Sequence, residues 1–78
     1  MQVKEALSQA AILLKFSNTP TLDARLLLGF TLDLSFEQIL LKYDLELSLN
    51  QEKKFFSFLK RRQNYEPIAY ILGTKEFY

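Results

Sequence analysis

Glu66, Tyr70, Glu76 and Tyr78 are the groups of this chain best suited to acid or base work, and their spacing argues against it. Glu66 and Glu76 are separated by Pro67 and Gly73, so no regular element fixes the distance between the two carboxylates as a general acid/base pair would require. The serines and threonines have no histidine to activate them and no Gly-x-Ser-x-Gly context, which leaves them as helix caps. There are only two glycines, Gly29 and Gly73, so no phosphate- or cofactor-binding loop can be built. Cysteine and histidine are both absent, which removes thiolate and imidazole metal ligands and any disulfide framework. No residue is expected to be catalytic, cofactor-binding or metal-binding.

Charge is the remaining resource. At about 100° per residue, Lys53, Lys54, Ser57, Lys60 and Arg61 fall on one helix face, opposite Phe55, Phe58 and Leu59. Such a stripe reads first as a solvated face and second as a surface for an acidic protein partner. It lacks the interleaved aromatics of a single-strand platform, and the formal net charge of +1 gives no global field to favour nucleic acid or an anionic membrane. Arg62 falls among the apolar positions of the same wheel. An uncompensated buried guanidinium would cost several kcal/mol, so Asp23 and Glu66 are its candidate partners.

These side chains must be positioned by helices, because the apolar period is helical almost throughout. Val3, Leu7, Ala10 and Leu14 make a stripe over about 2–16. Thr19 before Pro20 predicts a cap and first-turn proline for a second helix over 20–32, with Asp23 near its positive end. Leu22, Leu26, Leu27, Leu28 and Phe30 surround that helix and predict a central, buried position, with Gly29 at a close helix crossing. Ser35 with Gln38, and Ser48 with Gln51, have the spacing of capping boxes for helices over about 36–43 and 49–64. Phe36, Ile39, Leu40 and Tyr43 are the expected buried face of the third. Pro67 ends the fourth, Ile68 to Leu72 give a short fifth, Gly73 stops it, and 74–78 reads as extended. The fold class is therefore all-α, four helices plus a short fifth. Residues 1–73 form one helical domain and 74–78 begin a linker or strand. A chain of 78 residues, 49% apolar, can bury roughly 60% of its unfolded surface. No apolar run approaches the ~20 residues of a membrane span and the first residues are not a signal peptide, so a cytoplasmic protein is expected.

The segment RRQNYEPIAYILGTKEFY, together with KEALSQAAILL, TPTLDARLLLGFTL and the LSLNQ entry to a Phe-rich helix, resembles the N-terminal domain of the HemK/PrmC family in order and spacing. Members are protein-(glutamine-N5) methyltransferases that modify peptide chain release factors. The resemblance implies a recognition domain preceding a Rossmann-like catalytic domain, which holds S-adenosylmethionine and carries an Asn-Pro-Pro-Tyr motif for the glutamine amide. Neither the cofactor turn nor that motif occurs here, so no catalytic residue carries over. Arg62, Glu66, Pro67, Ile68, Tyr70, Gly73, Glu76 and Phe77 match the family's interdomain junction, which implies that this segment packs against the chain's own C-terminal catalytic domain. The implied partners are class 1 release factors, met through the outer faces of the first two helices or through Lys53, Lys54, Lys60 and Arg61. In some bacteria members are fused to a tRNA guanine-N7 methyltransferase. The rival readings are a free-standing helical interaction module and a nucleic-acid-binding adaptor that uses the basic stripe.

Overall fold

The computed structural model describes residues 1–73. They form α1 (Val3–Leu13), α2 (Pro20–Leu32), α3 (Phe36–Leu41), α4 (Leu49–Gln63) and α5 (Ile68–Leu72), an all-α bundle. The extended segment expected at 74–78 lies outside the described residues.

Three helix starts follow directly from local chemistry. Pro20 opens α2 after Thr19, whose carbonyl accepts the Asp23 N–H at 2.9 Å. Both capping boxes close: the Gln38 N–H donates to Ser35 Oγ at 3.1 Å and the Ser35 N–H to Gln38 Oε1 at 2.8 Å, with the same distances for Gln51 and Ser48. At the start of α1 the Gln2 N–H donates to Glu5 Oε1 at 2.8 Å, and a loop completes the first turn. The Val3 and Lys4 N–H groups donate to the carbonyls of Leu45 and Tyr43 at 2.9 and 3.0 Å, which satisfies helix-end donors and ties α1 to the α3–α4 connection.

α2 is the hub and packs against all four other helices. Its inward face is Asp23, Ala24, Leu27, Leu28 and Gly29. The expectation that Leu22 and Leu26 are also core is wrong, since they are 43% and 36% exposed. They lie one position beyond the buried stripe, about 100° around the helix, and five short helices do not enclose the central one completely. The same holds at α3, which stops at Leu41 short of the expected residue 43: Ile39 is buried, but Phe36, Leu40 and, beyond the helix end, Tyr43 each keep over a third of their surface exposed. The core is completed by Val3, Ala6, Ala10 and Leu14 from the α1 side and by Phe55, Phe58 and Leu59 of α4. Each large side chain fully buried there contributes about 1.5–3 kcal/mol.

Helices α2 and α4 end alike, each with a non-glycine residue in the left-handed region. At Asp33 (φ 58°), the Leu34 N–H reaches back to Gly29 O at 2.8 Å and the Asp33 N–H to Phe30 O at 3.4 Å. This turn accounts for Gly29, at which a Cβ would sit 2.8 Å from the Leu34 carbonyl oxygen. The tight contact is with the chain's own returning backbone rather than with another helix, although Ile39 of α3 comes next at 3.7 Å. α1 also stops at Leu13, short of the expected residue 16. Lys15 and Ser17 turn back onto the Ile12 and Leu14 carbonyls at 3.3 and 2.8 Å, which brings Ser17 over the start of α2.

Candidate functional site

Among the described residues, the α4–α5 corner and a groove between α1 and α2 hold polar groups in a non-trivial arrangement. At the corner, α4 ends through Tyr65 (φ 66°). The Glu66 N–H donates to Arg61 O at 3.3 Å and the Tyr65 N–H to Arg62 O at 2.9 Å. A bulky residue is unfavourable in this backbone region, by roughly 1–2 kcal/mol. The Tyr65 ring meets Phe16 edge-on with centroids 5.0 Å apart, and Phe16 in turn lies beneath the Arg62 guanidinium at 5.4 Å. Sequence spacing did not reveal this turn, since glycine is the usual occupant.

The two arginines before the turn divide the work. Arg62 Nε donates to Asp23 Oδ2 at 3.4 Å and its Nη1 to the Glu66 carbonyl at 3.2 Å. Asp23 is almost fully buried and also receives the hydroxyls of Ser17, at 2.7 Å, and Thr19, at 3.1 Å. Thr19 therefore stands at the N-cap position while its hydroxyl serves the carboxylate instead of a backbone donor. Both expected partners of Arg62 are present, but Glu66 offers its carbonyl. The Glu66 carboxylate belongs to Arg61, which clamps it with Nε (3.1 Å to Oε1) and Nη2. Glu66 is thus held at both ends as the chain enters Pro67.

This clamp shifts a titration. The hydrogen bonds from Arg61 hold the Glu66 carboxyl below its ordinary value of 4.5, against a smaller opposing effect of burial. A carboxylate kept ionised in this way is a weak base and no acid, so it fixes the corner rather than moving protons. Because the folded-state value is lowered, its contribution to stability is complete above pH 4.5 and is lost as the pH falls through the folded value. In acid titrations of stability, Glu66→Gln should therefore flatten the loss below pH 4.5, and parallel curves for both proteins would contradict the clamp.

Beyond the corner, Pro67 caps α5, Ile71 is buried, and Tyr70 stands 72% exposed. Gly73 ends the helix at φ 83°, a conformation open to glycine. Arg62, Glu66, Pro67, Ile68, Tyr70 and Gly73 are thus brought together around one corner, whereas Glu76 and Phe77 lie outside the described residues. The basic stripe of α4 is not uniform. Lys54 lies over the rings of Phe30 and Phe58 at 5.8 and 5.9 Å and Arg61 is turned to Glu66, which leaves Lys53 and Lys60 in solvent roughly 10 Å apart along the axis.

The groove has a volume of about 270 Å³. Lys4, Leu7, Ser8 and Ala11 of α1 form one wall, and Arg25 of α2 with Tyr43 of the following loop form the other. Arg25 Nη2 donates to the Tyr43 hydroxyl at 3.1 Å, its guanidinium lies 5.5 Å from the Phe36 ring centre, and its buried Nε has no hydrogen-bond partner among the described residues. Nothing in the spacing singled Arg25 out, since it sits one position beyond the buried stripe of a Leu-rich helix. Among the described residues no group of acidic, histidine or cysteine side chains is placed to hold a metal ion.

The family described as the PrmC N-terminal domain matches residues 5–73. The chain belongs to that family. The match ends at Gly73, where α5 ends, so the PrmC N-terminal domain takes in all but the first residues of the described bundle. The release factor glutamine methyltransferase of Coxiella burnetii is 40% identical over 79 residues, covering 100% of this chain and 28% of that protein. The same-named protein of Buchnera aphidicola subsp. Schizaphis graminum is 35% identical, with the same coverage of 100% and 28%. The bifunctional methyltransferase of Rickettsia prowazekii is 44% identical over 61 residues, 78% of this chain and 12% of its own length. The chain therefore spans little more than a quarter of the relatives that it matches end to end. No solved structure matches it. No helix among the described residues is long and apolar enough to cross a membrane.

Proposed function

We propose that the chain is the client-recognition domain of a cytoplasmic, S-adenosylmethionine-dependent methyltransferase that N5-methylates the glutamine of the Gly-Gly-Gln motif in class 1 peptide chain release factors. The observation that carries this reading is the end-to-end 40% identity with a release factor glutamine methyltransferase. The bundle contributes no acid, base or cofactor loop to the reaction; its contribution is positional. A glutamine amide is a poor nucleophile, so transfer depends on placing it in line with the sulfonium methyl, and a helical domain that grips the client elsewhere fixes where the Gly-Gly-Gln loop lands.

In this reading Arg62, Glu66, Pro67, Tyr70, Gly73, Glu76 and Phe77 join the bundle to the catalytic domain. The Asp23–Arg62 pair and the Arg61–Glu66 clamp give that junction a defined exit angle. Lys53 and Lys60, with Lys54 and Arg61 beside them, offer cations to the client. The full-length protein, supplied with S-adenosylmethionine and a class 1 release factor, should add one methyl group to the Gly-Gly-Gln glutamine, as read by mass spectrometry of the digested factor. A protein that binds the cofactor yet leaves that glutamine unmodified would overturn the proposal.

A further inference from the structure

We infer that the α1–α2 groove is a docking site for an acidic, apolar segment of the client protein, with Arg25 as its carboxylate receptor. The inference rests on the proposed function and adds the surface and the chemistry by which the client is held. The chain has three arginines, and two of them already own a carboxylate: Arg61 holds Glu66 and Arg62 holds Asp23. Among the described residues Arg25 has only the Tyr43 hydroxyl and the face of Phe36, and its Nε is buried without a partner there. A guanidinium matched by a ring and a phenol is stacked and oriented, but its fork lacks the planar bidentate acceptor for which it is suited.

The walls beside Arg25 specify the rest of the occupant. Leu7 and Ala11 give an apolar surface, the small side chains of Ser8 and Ala11 leave depth, and about 270 Å³ accommodates one or two side chains. Lys4 lies at the same groove, already paired with Asp44 at 3.1 Å. One unshared cation among apolar walls suits a single carboxylate next to an apolar side chain. It does not suit a phosphate backbone, which requires a row of free cations.

The test uses the full-length enzyme with two substrates, an intact release factor and a short Gly-Gly-Gln peptide that cannot reach the groove. Arg25→Glu should raise KM for the intact factor by more than about tenfold with kcat little changed, and the peptide should be turned over as by the parent enzyme. Ser8→Phe, which fills the groove from an exposed wall position, should do the same and stands in if Arg25→Glu fails to fold. An unchanged KM for the intact factor in folded Ser8→Phe would overturn the inference. So would a loss confined to self-association or to salt-sensitive RNA binding. A parent enzyme that modifies no release factor would instead reject the proposed function itself, before any variant is compared.

Discussion

Asp23→Ala should destabilise the bundle by about 3–5 kcal/mol, the usual consequence of stripping one partner from a buried ion pair. Asp23 is 5% exposed and the Arg62 side chain 19%, so solvent offers little relief to either group. The 3.4 Å contact between them is long, but the carboxylate also accepts the hydroxyls of Ser17 and Thr19, and hydrogen bonds to a charged acceptor contribute about 1.5–3 kcal/mol each. Those two residues form the α1–α2 turn, and Arg62 reaches on to the Glu66 carbonyl. One side chain therefore ties the α1–α2 turn to the α4–α5 corner. A domain of this size has a total stability of about 4–12 kcal/mol, so the variant should be largely unfolded at mild urea concentrations. Asp23→Asn, which keeps an acceptor oxygen but not the charge, should fall between the two. Urea denaturation checks the series, and a loss below about 1 kcal/mol for Asp23→Ala would mean that Arg62 is satisfied without it.

The parts of this network differ in how far they could be read before the fold was known. Arg62 falls on the apolar side of the α4 wheel, and burial of a guanidinium demands an anion, so Asp23 was accessible to simple reasoning. The assignment of the Glu66 carboxylate to Arg61 was not. It depends on Tyr65 taking a left-handed conformation, which swings Glu66 back over the last turn of α4, and a tyrosine gives no local signal for that turn. Starts of helices were legible for a related reason. Pro20 and the Ser35/Gln38 and Ser48/Gln51 boxes act through bonds within four residues, whereas α1 ends where Gln63 of α4 donates to the Leu13 carbonyl at 3.4 Å and the chain after α3 is held by the Lys4 N–H on the Tyr43 carbonyl at 3.0 Å.

Burial was misjudged where apolar identity alone was the guide. Leu22, Leu26, Phe36 and Leu40 are as hydrophobic as their buried neighbours, but a bundle this small has too little interior to take them all. Gly29 shows the same limit from the other side, since its role concerns the backbone of Leu34 and no neighbouring helix side chain predicts it. Arg25 was invisible because its significance lies in what it lacks. Only the three-dimensional comparison with Arg61 and Arg62 exposes it as the arginine without a carboxylate among the described residues.

The second large effect concerns catalysis in the whole protein. If the bundle holds the client while a neighbouring domain transfers the methyl group, then removing residues 1–73 takes away binding that is used for orientation, and misplacement on the ångström scale costs on the order of 10²-fold in rate. A short Gly-Gly-Gln peptide never used that binding, so its turnover should survive, and that turnover also reports that the catalytic domain is still folded. The decisive measurement is therefore kcat/KM of the full-length and truncated enzymes on both substrates. The account predicts a fall on the order of 10²-fold for the intact release factor and none for the peptide. A truncated enzyme that still turns over the peptide and handles the intact factor as well as its parent would contradict it.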